Sequence, residues 1–220
     1  DVGGESTRPG AAAVPLQQEL DRVLPVVEAL RHLPAVLSID TSRPEVMREA
    51  TRHGAGLVND VRALRRPGAL EAAAASGAAI CLMHMQGSPD SMQRNPSYTD
   101  VVAEVAAFLE ERVDACTAAG VARDRLVIDP GFGFGKTLEH NLTLLRALPR
   151  LAAAGLPVLV GLSRKSMIGA LTGREVGQRL AGSVVLAALA LERGASIVRA
   201  HDVAETVDAV RLVQAIRQED

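Results

Sequence analysis

The sequence contains few aromatic residues and little cysteine. Its 220 residues include three phenylalanines, one tyrosine and no tryptophan, so the core must be built from alanine, valine, leucine and isoleucine. Aliphatic cores of this kind are typical of helices packed on a buried parallel sheet. The two cysteines, Cys81 and Cys116, are too few for a disulfide framework. We expect both to be buried thiols of a reduced, cytoplasmic protein.

A strong excess of charge and long apolar runs are missing as well. Lysine and arginine total 24 and aspartate and glutamate total 26, which gives a net charge of −2 and leaves no basic surface for nucleic acid. No apolar stretch approaches the ~20 residues of a membrane helix, so we expect a soluble protein with no membrane or nucleic-acid partner. The length and a hydrophobic content of 48% suit one large domain, expected over residues 1–220.

Short apolar runs that end in a polar residue recur along the chain and predict buried parallel strands. These runs are residues 36–40, 56–60, 79–84, 126–129, 157–161 and 196–201. Helical patterns lie at 44–53, 69–76, 98–119, 139–154, 178–193 and 204–218, and also at 16–33, where Pro25 predicts a kink or two pieces. Strands and helices alternate without a linker, which predicts a parallel sheet covered by helices.

An open doubly wound sheet and a closed (β/α)8 barrel both fit this alternation. An open sheet gathers its functional groups at one crevice, whereas every strand end of a barrel faces the same mouth. Ionisable or amide side chains end almost every predicted strand, namely Asp40, Asn59, His84, Asp129, Arg199 and His201. This placement favours the barrel. Together with a strand ending at residues 1–3, seven strands are found, so we expect the first βα unit and most of the second strand to be missing.

Three segments at these strand ends carry candidate chemistry. In DPGFGFGK (129–136), glycines allow a ligand to approach the backbone and the rings supply a flat apolar wall. The segment GLSRKSMIG (161–169) enters a helix, whose N-terminus favours an anion. Arg199 and His201 share one side of the last strand, where two donors suit a diphosphate. Each segment also has a purely structural alternative. Residues 129–136 could be a surface turn whose rings enter the core, residues 161–169 a capped helix with solvated basic side chains, and His201 a packed histidine.

The predicted mouth combines two kinds of polar group. Carboxylates and an amide (Asp40, Asn59, Asp129) suit a ring with paired N–H donors, and cationic groups (Lys165, Arg199, His201) suit phosphate. A heterocycle that bears a diphosphate would use the whole set. The methionines of the segment 83–92 suit either an aromatic ligand or packing, and no three-ligand metal set is evident in the sequence.

Seven motifs, in order and over the whole chain, resemble the bacterial dihydropteroate synthase family of pterin-binding enzymes. They are GGESTRPGA, SIDTSRPEV, LVNDV, LMHMQGSP, DPGFGFGK, GLSRKSMIG and IVRAHDV. The resemblance implies a (β/α)8 barrel, usually a homodimer, that acts as a transferase in folate biosynthesis. Such enzymes join 4-aminobenzoate to 6-hydroxymethyl-7,8-dihydropterin diphosphate, with Mg²⁺, and release pyrophosphate.

The same resemblance implies a role for each matching residue. The pterin contacts would be Asp40, Asn59, Met83, Asp129 and Lys165, and the catalytic residues among them Asp40, Asp129 and Lys165. Arg199 and His201 would bind the diphosphate. The 4-aminobenzoate contacts would be Thr7, Arg8, Pro9, Phe134 and Ser163. The asparagine that helps the family bind metal belongs to an earlier strand without a counterpart here, so we expect no metal ligand in this chain and poor activity of the 220 residues alone.

Two other functions are weighed against this one. A pterin-dependent methyltransferase shares the barrel and the carboxylate and amide contacts, but it has no use for an arylamine pocket made by residues 6–9 and 163–166. An inactive pterin-binding homologue or fragment should have lost charged residues at the mouth, whereas each matching position here keeps the expected residue type.

Overall fold

The computed structural model describes residues 1–6, 11–89 and 91–217. Its strands are β1 (Val2–Gly3), β2 (Ser38–Asp40), β3 (Leu57–Asp60), β4 (Ala79–Met83), β5 (Leu126–Asp129), β6 (Leu159–Val160) and β7 (Ile197–Val198). Its helices are α1 (Leu16–Leu30), α2 (Pro44–Arg52), α3 (Ala69–Ser76), α4 (Val101–Ala118), α5 (Leu138–Arg146), α6 (Leu148–Ala152), α7 (Ser166–Thr172), α8 (Leu180–Glu192) and α9 (Val203–Arg217).

All strand pairs are parallel and follow the order of the chain. Strands β1 to β5 form one hydrogen-bonded sheet, β6 pairs with β7, and a parallel bridge between Ile128 and Val158 links the two parts. Between β7 and β1 the described residues show no backbone pairing, but the Arg199 side chain spans this gap to Asp1. The α/β class and the parallel (β/α)8 architecture are as predicted, with seven strands in the described residues.

The helices begin and end where the local sequence favours it. Helix α2 starts at Pro44, whose fixed φ and missing N–H suit the first helical turn, and Gly54 follows its end with φ +117°. Asp100 caps α4 by accepting hydrogen bonds from the amides of Val102 and Ala103. These caps set the helix boundaries and orient the chain as it leaves each strand.

Two predicted helices differ from the observed ones. Helix α1 runs through Pro25 as one element, so it is not divided into two pieces; Pro25 and Asp21, whose carbonyl loses its intrahelical partner, are both exposed. The helix predicted over 139–154 is divided into α5 and α6 at Ala147, with Pro149 in the first turn of α6. Strands β6 and β7 are also shorter than predicted, with two residues each.

The core is aliphatic, as the composition predicts. Ile39, Ile80 and Leu82 from the sheet and Leu144 from α5 are all less than 2% exposed, and burying such a side chain is worth about 1.5–3 kcal/mol. Cys81 and Cys116 are both buried and free, as expected. Phe132 lies in this core at 1% exposure, and the partly buried rings of Tyr98 and Phe108 pack against the core. Among the described residues, no helix is both long enough and apolar enough to cross a membrane.

Candidate active site

A cavity of about 790 Å³ extends along the inner face of the sheet, from the amino ends of the strands at Leu57 and Ala79 to their carboxyl ends. Its lining includes every predicted site residue that the structure describes, namely Asp40, Asn59, Met83, Asp129, Phe134, Ser163, Lys165, Arg199 and His201. The sheet register explains the convergence, since Asp40 lies beside Asn59 on the neighbouring strand and Met83 lies beside Asp129. Thr7, Arg8 and Pro9, predicted to contact 4-aminobenzoate, lie outside the described residues.

The carboxylates in this cavity are held in a poorly solvated environment. Burial raises the pKa of Asp40 to about 6, against the opposing charge of Arg199. Burial also raises the pKa of Asp129 to about 6, although the amide of Gly131 donates to its Oδ1 at 2.7 Å. Both groups are mainly ionised at neutral pH and therefore accept hydrogen bonds. Keeping these buried carboxylates charged costs free energy. A ligand whose N–H groups donate to them would therefore stabilise their ionised forms.

Asn59 supplies an amide oxygen without a partner in the part of the chain that the structure describes. Its side chain is buried with 6% exposure, and Oδ1 has no hydrogen-bond partner. A buried polar atom without a partner is rare, because leaving it unpaired is costly. Because Asn59 lines the cavity between the two carboxylates, its oxygen is available to a donor on a bound ring.

Lys165 lies between an anion and an aromatic ring. Its Nζ is 4.4 Å from the centroid of the Phe134 ring, a distance at which a cation is attracted to the ring face. Burial lowers the pKa of Lys165 to about 8, and the charge of Asp129 opposes this effect. The ammonium form therefore still predominates at neutral pH, where it can donate to a carbonyl oxygen.

The last strand brings Arg199 and His201 to the rim of the cavity. Nε of Arg199 lies 2.7 Å from Oδ2 of Asp1, and its Nη2 lies 3.5 Å from Oδ2 of Asp40. Nδ1 of His201 is 2.9 Å from Oγ of Ser163, which also accepts a hydrogen bond from the His201 amide at 3.2 Å. The sequence assigned Ser163 and His201 to different ligands, but the structure places them in direct contact.

The glycine-rich loop 129–136 agrees only partly with its prediction. Phe134 lines the cavity, whereas Phe132 is packed into the core and is not available as a ligand wall. His84, grouped with the strand-end residues of the mouth, is buried behind this loop, outside the cavity lining. Gly131 at φ +69° and Gly133 at φ +79° turn the backbone on either side of Phe132, and the rings of Phe132 and Phe134 face different sides of the loop.

One further ion pair near the site was not predicted. Arg164 forms an ion pair with Asp202, with its Nη2 at 2.5 Å from Oδ1 and its Nε at 3.1 Å from Oδ2. This pair joins the loop that carries Lys165 to the loop that carries His201. Asp202 belongs to the motif IVRAHDV, and this motif could have drawn attention to it. No sequence feature indicates the left-handed φ of +56° at Arg164.

The resemblance also implies Mg²⁺, an ion that binds carboxylate, carbonyl and water oxygens. Among residues 1–6, 11–89 and 91–217, no group of three or more His, Cys, Asp or Glu side chains is placed to hold a metal ion. The carboxylates beside Arg199, from Asp1 and Asp40, are both engaged by its guanidinium. These donors do not form a metal cage, and the chemistry below therefore uses the side chains of the chain alone.

A model of the family described as pterin binding enzyme matches residues 1–201. Dihydropteroate synthase of Escherichia coli strain K12 is 54% identical over 216 residues, which cover 98% of this chain and 77% of that protein. The dihydropteroate synthase of Haemophilus influenzae is 50% identical over 216 residues, with 98% of this chain and 78% of that protein covered.

Solved structures show the same likeness in three dimensions. The Yersinia pestis dihydropteroate synthase in a sulfonamide drug complex gives a TM-score of 0.95 at 52% identity, covering 97% of this chain and 78% of that one. The Xanthomonas albilineans dihydropteroate synthase with 4-aminobenzoic acid gives a TM-score of 0.93 at 55% identity, covering 99% of this chain and 78% of that one. Sequence, fold and the residues of the cavity agree, and the chain therefore belongs to the pterin binding enzyme family, in its dihydropteroate synthase branch.

Proposed function

We propose that this chain joins 6-hydroxymethyl-7,8-dihydropterin diphosphate to 4-aminobenzoate, giving 7,8-dihydropteroate and pyrophosphate. The observation that carries the proposal is the convergence of Asp40, Asn59, Asp129 and Lys165 in one cavity. Two carboxylates and an unpaired amide oxygen match the N–H donors of an amino-pyrimidine ring, and an ammonium matches its carbonyl. The relatives reported above are dihydropteroate synthases, which favours this reaction over methyl transfer.

The pterin would lie across the floor of the cavity. Asp40, Asn59 and Asp129 would accept from its ring N–H groups, and Lys165 would donate to the carbonyl and N5 side. Met83, which is 3% exposed, would contact the ring face with its polarisable thioether. The charged hydrogen bonds replace solvation that both carboxylates have already lost, so little further desolvation opposes binding.

The diphosphate would bind at the rim, beside Arg199 and His201. The Arg199 guanidinium is 53% exposed in its side chain and pairs with Asp1, so an incoming diphosphate can take over this contact at the surface. His201 adds a donor next to Ser163. Both groups neutralise the negative charge that builds up on the leaving group, which lowers the barrier to its departure.

The reaction itself needs a good leaving group and a close nucleophile. The C–O bond to the diphosphate breaks, and its electron pair leaves with the pyrophosphate. A cation remains on the exocyclic methylene of the pterin. The carboxylates of Asp40 and Asp129 favour this charge electrostatically. The arylamine nitrogen then forms the C–N bond to the methylene and releases one proton to water. Because an arylamine is neutral and nucleophilic at pH 7, the main task of the protein is to hold the two substrates together.

The 4-aminobenzoate would occupy the opening between Phe134 and Ser163. The Phe134 ring supplies an apolar wall, and Oγ of Ser163, held beside His201, would donate to the carboxylate. We assign Thr7, Arg8 and Pro9 to the same pocket on the resemblance of their motif. This arrangement puts the arylamine next to the methylene from which the diphosphate leaves.

We further propose that the chain forms a homodimer and works in the cytoplasm with Mg²⁺, which the diphosphate would help to hold because the described side chains form no metal cage of their own. Large apolar side chains on α8 and α9 are exposed, including Val185 at 56%, Leu212 at 65% and Ile216 at 79%, and such surfaces are typical of interfaces. A single domain over 1–220 is supported by a core cluster that includes both Val23 and Ala195. Light scattering after size-exclusion chromatography tests the dimer.

Pyrophosphate release tests the reaction. The purified chain is given both substrates, the pterin diphosphate alone, or the diphosphate with benzoate in place of 4-aminobenzoate, in buffer containing Mg²⁺. Release only in the presence of the arylamine supports the proposal. Uptake of the pterin diphosphate in calorimetry without any turnover would instead indicate a pterin-binding protein that is not an enzyme.

A further inference from the structure

Lys136 is a buried lysine outside the set of residues that line the cavity. It ends the glycine-rich loop after β5 and is only 4% exposed. Its Nζ lies 3.0 Å from the carbonyl oxygen of Gly131, 3.1 Å from that of Phe134 and 2.9 Å from Nδ1 of His84. Burial lowers the pKa of Lys136 to about 7, and the charge of Asp129 opposes this effect. The ammonium form has three protons to donate, and each has an acceptor here.

The choice of lysine at this position is informative. The chain contains 22 arginines but only two lysines, Lys136 and Lys165, and both lie at the carboxyl ends of the barrel strands. A guanidinium is a broad planar fork, whereas an ammonium is a compact donor that can reach three converging acceptors. The geometry around Nζ of Lys136 requires this compact form.

His84 is held as an acceptor by its surroundings. Its ring is 6% exposed and packs edge-on against Phe108, with the centroids 4.9 Å apart. Burial, together with the charge of Lys136, lowers the pKa of His84 to about 3, so the ring is neutral. Because Nδ1 faces the ammonium, the proton of the neutral ring is placed on Nε2.

The two carbonyls that Lys136 binds belong to the loop that supplies the site. Gly131 donates from its amide to Asp129, and Phe134 presents its ring to Lys165. The loop is also pressed onto the chain after β4, because a Cβ on Gly131 would lie 1.9 Å from the carbonyl oxygen of His84. Lys136 therefore connects Gly131 and Phe134 of the loop to His84, which follows β4.

We propose that Lys136 is a positioning residue, which fixes the loop carrying Asp129 and Phe134 by binding the carbonyls of Gly131 and Phe134 and Nδ1 of His84. This inference rests on the proposed function for its consequence in catalysis. Lys136 touches neither substrate. It acts by holding the Asp129 carboxylate within hydrogen-bonding distance of the pterin ring. It also holds the Phe134 ring at the edge of the arylamine pocket.

Steady-state kinetics with a stability-matched control tests this role. Lys136→Met is compared with Leu144→Ala, which removes fully buried apolar contacts in α5 without touching the loop carbonyls. At temperatures well below both melting points, we expect kcat/KM for 4-aminobenzoate to fall at least about tenfold in Lys136→Met and less than about twofold in Leu144→Ala. Equal kinetics in the two variants would show a purely structural role and overturn the inference.

Substitution of the acceptor provides a second route if Lys136→Met does not fold. His84→Asn keeps an oxygen close to the position of Nδ1, whereas His84→Leu removes the acceptor. We expect the asparagine variant to retain most of the kcat/KM and the leucine variant to lose it. If both behave alike, the Lys136 to His84 contact does not position the loop.

Nuclear magnetic resonance gives a readout independent of turnover. The amide resonances of Gly131, Gly133 and Phe134 should shift in Lys136→Met and stay in place in Leu144→Ala. Because slow turnover is expected of the 220 residues alone, only a complete absence of pyrophosphate release by the unaltered chain would reject the proposed function. The resonance measurement would then decide on Lys136 by itself. Unshifted loop amides in Lys136→Met would reject the positioning role even if the chain is fully active.

Discussion

Nε of Arg199, at the end of the last strand, lies 2.7 Å from Oδ2 of Asp1, at the start of the first, although 198 positions separate them in the chain. The same guanidinium reaches Asp40 with Nη2 at 3.5 Å. One side chain thus links the two ends of the strand series to a carboxylate of the cavity. A cation in this place is already oriented before a diphosphate binds.

Replacing this cation should weaken binding of the diphosphate. Hydrogen bonds to charged groups contribute about 1.5–3 kcal/mol, so we expect Arg199→Met to raise KM for the pterin diphosphate by about 10- to 100-fold. The matched control is Arg211→Met, because Arg211 is 75% exposed and its paired carboxylate, Asp208, lies 3.9 Å away on the same helix. The control should change KM less than about twofold. Initial-rate measurements over a range of pterin concentrations compare the two variants.

The pH dependence of stability should report the buried carboxylates. Burial raises the pKa of Asp129 from 3.8 to about 6, so the folded state binds this proton more tightly than the unfolded state. The stabilisation from the protonated form is complete below pH 3.8 and is lost as pH rises through about 6. Asp129→Asn should therefore be more stable than the unaltered chain at pH 8 by about 1–3 kcal/mol, with no difference at pH 3.5. Urea unfolding at both pH values checks the sign.

Activity should depend on pH in the opposite direction. Asp40 and Asp129, each with a pKa of about 6, must be ionised to accept from the pterin ring. We expect kcat/KM for the pterin diphosphate to fall below about pH 6, well above the ordinary range of an aspartate. An acid limb near pH 4 would show that these carboxylates are not the groups that bind the ring.

The two phenylalanines of the loop should respond differently to truncation. Phe132 is 1% exposed in the core, so Phe132→Ala should cost about 3–5 kcal/mol of stability. Phe134 lines the cavity, so Phe134→Ala should cost little stability but raise KM for 4-aminobenzoate by about tenfold. Thermal unfolding and initial rates on the same two proteins separate the roles. A large loss of stability in Phe134→Ala would contradict the assignment.

Two glycines with similar backbone angles provide another comparison. Gly131 has φ +69° and Gly155 has φ +73°, so alanine at either position carries the strain of a left-handed residue, about 1–2 kcal/mol. A Cβ at Gly155 meets nothing within 4 Å, whereas one at Gly131 meets the His84 carbonyl oxygen. Gly155→Ala should thus show the strain alone. Gly131→Ala should lose further stability and most of the activity, because the loop beside Asp129 must move.

The sequence predicted those parts of the site that follow from strand order. Asp40, Asn59 and Asp129 end apolar strands, and parallel pairing alone brings such residues to one edge. The ion pair of Arg199 with Asp1 was beyond prediction because it depends on the curvature of the whole sheet. The contact between Lys136 and His84 likewise depends on how two loops pack, and neither residue carries a pattern that reveals its partner.

The loop geometry marks the same limit. Phe132 and Phe134 are equivalent in the alternating motif, and only the positive φ values of the glycines around them decide which ring enters the core. Positive φ at a non-glycine residue such as Arg164 gives no sequence signal at all. Local patterns therefore predicted the framework and the carboxyl-end residues, while contacts between loops required the structure.

Mass spectrometry of the product tests the central claim most directly. The chain is incubated with the pterin diphosphate and ring-labelled ¹³C 4-aminobenzoate in the presence of Mg²⁺. The account predicts a labelled adduct with the mass of 7,8-dihydropteroate, formed in a one-to-one ratio with pyrophosphate and absent with Asp129→Asn. Pyrophosphate without a labelled adduct, or a labelled adduct formed equally well by Asp129→Asn, would contradict it.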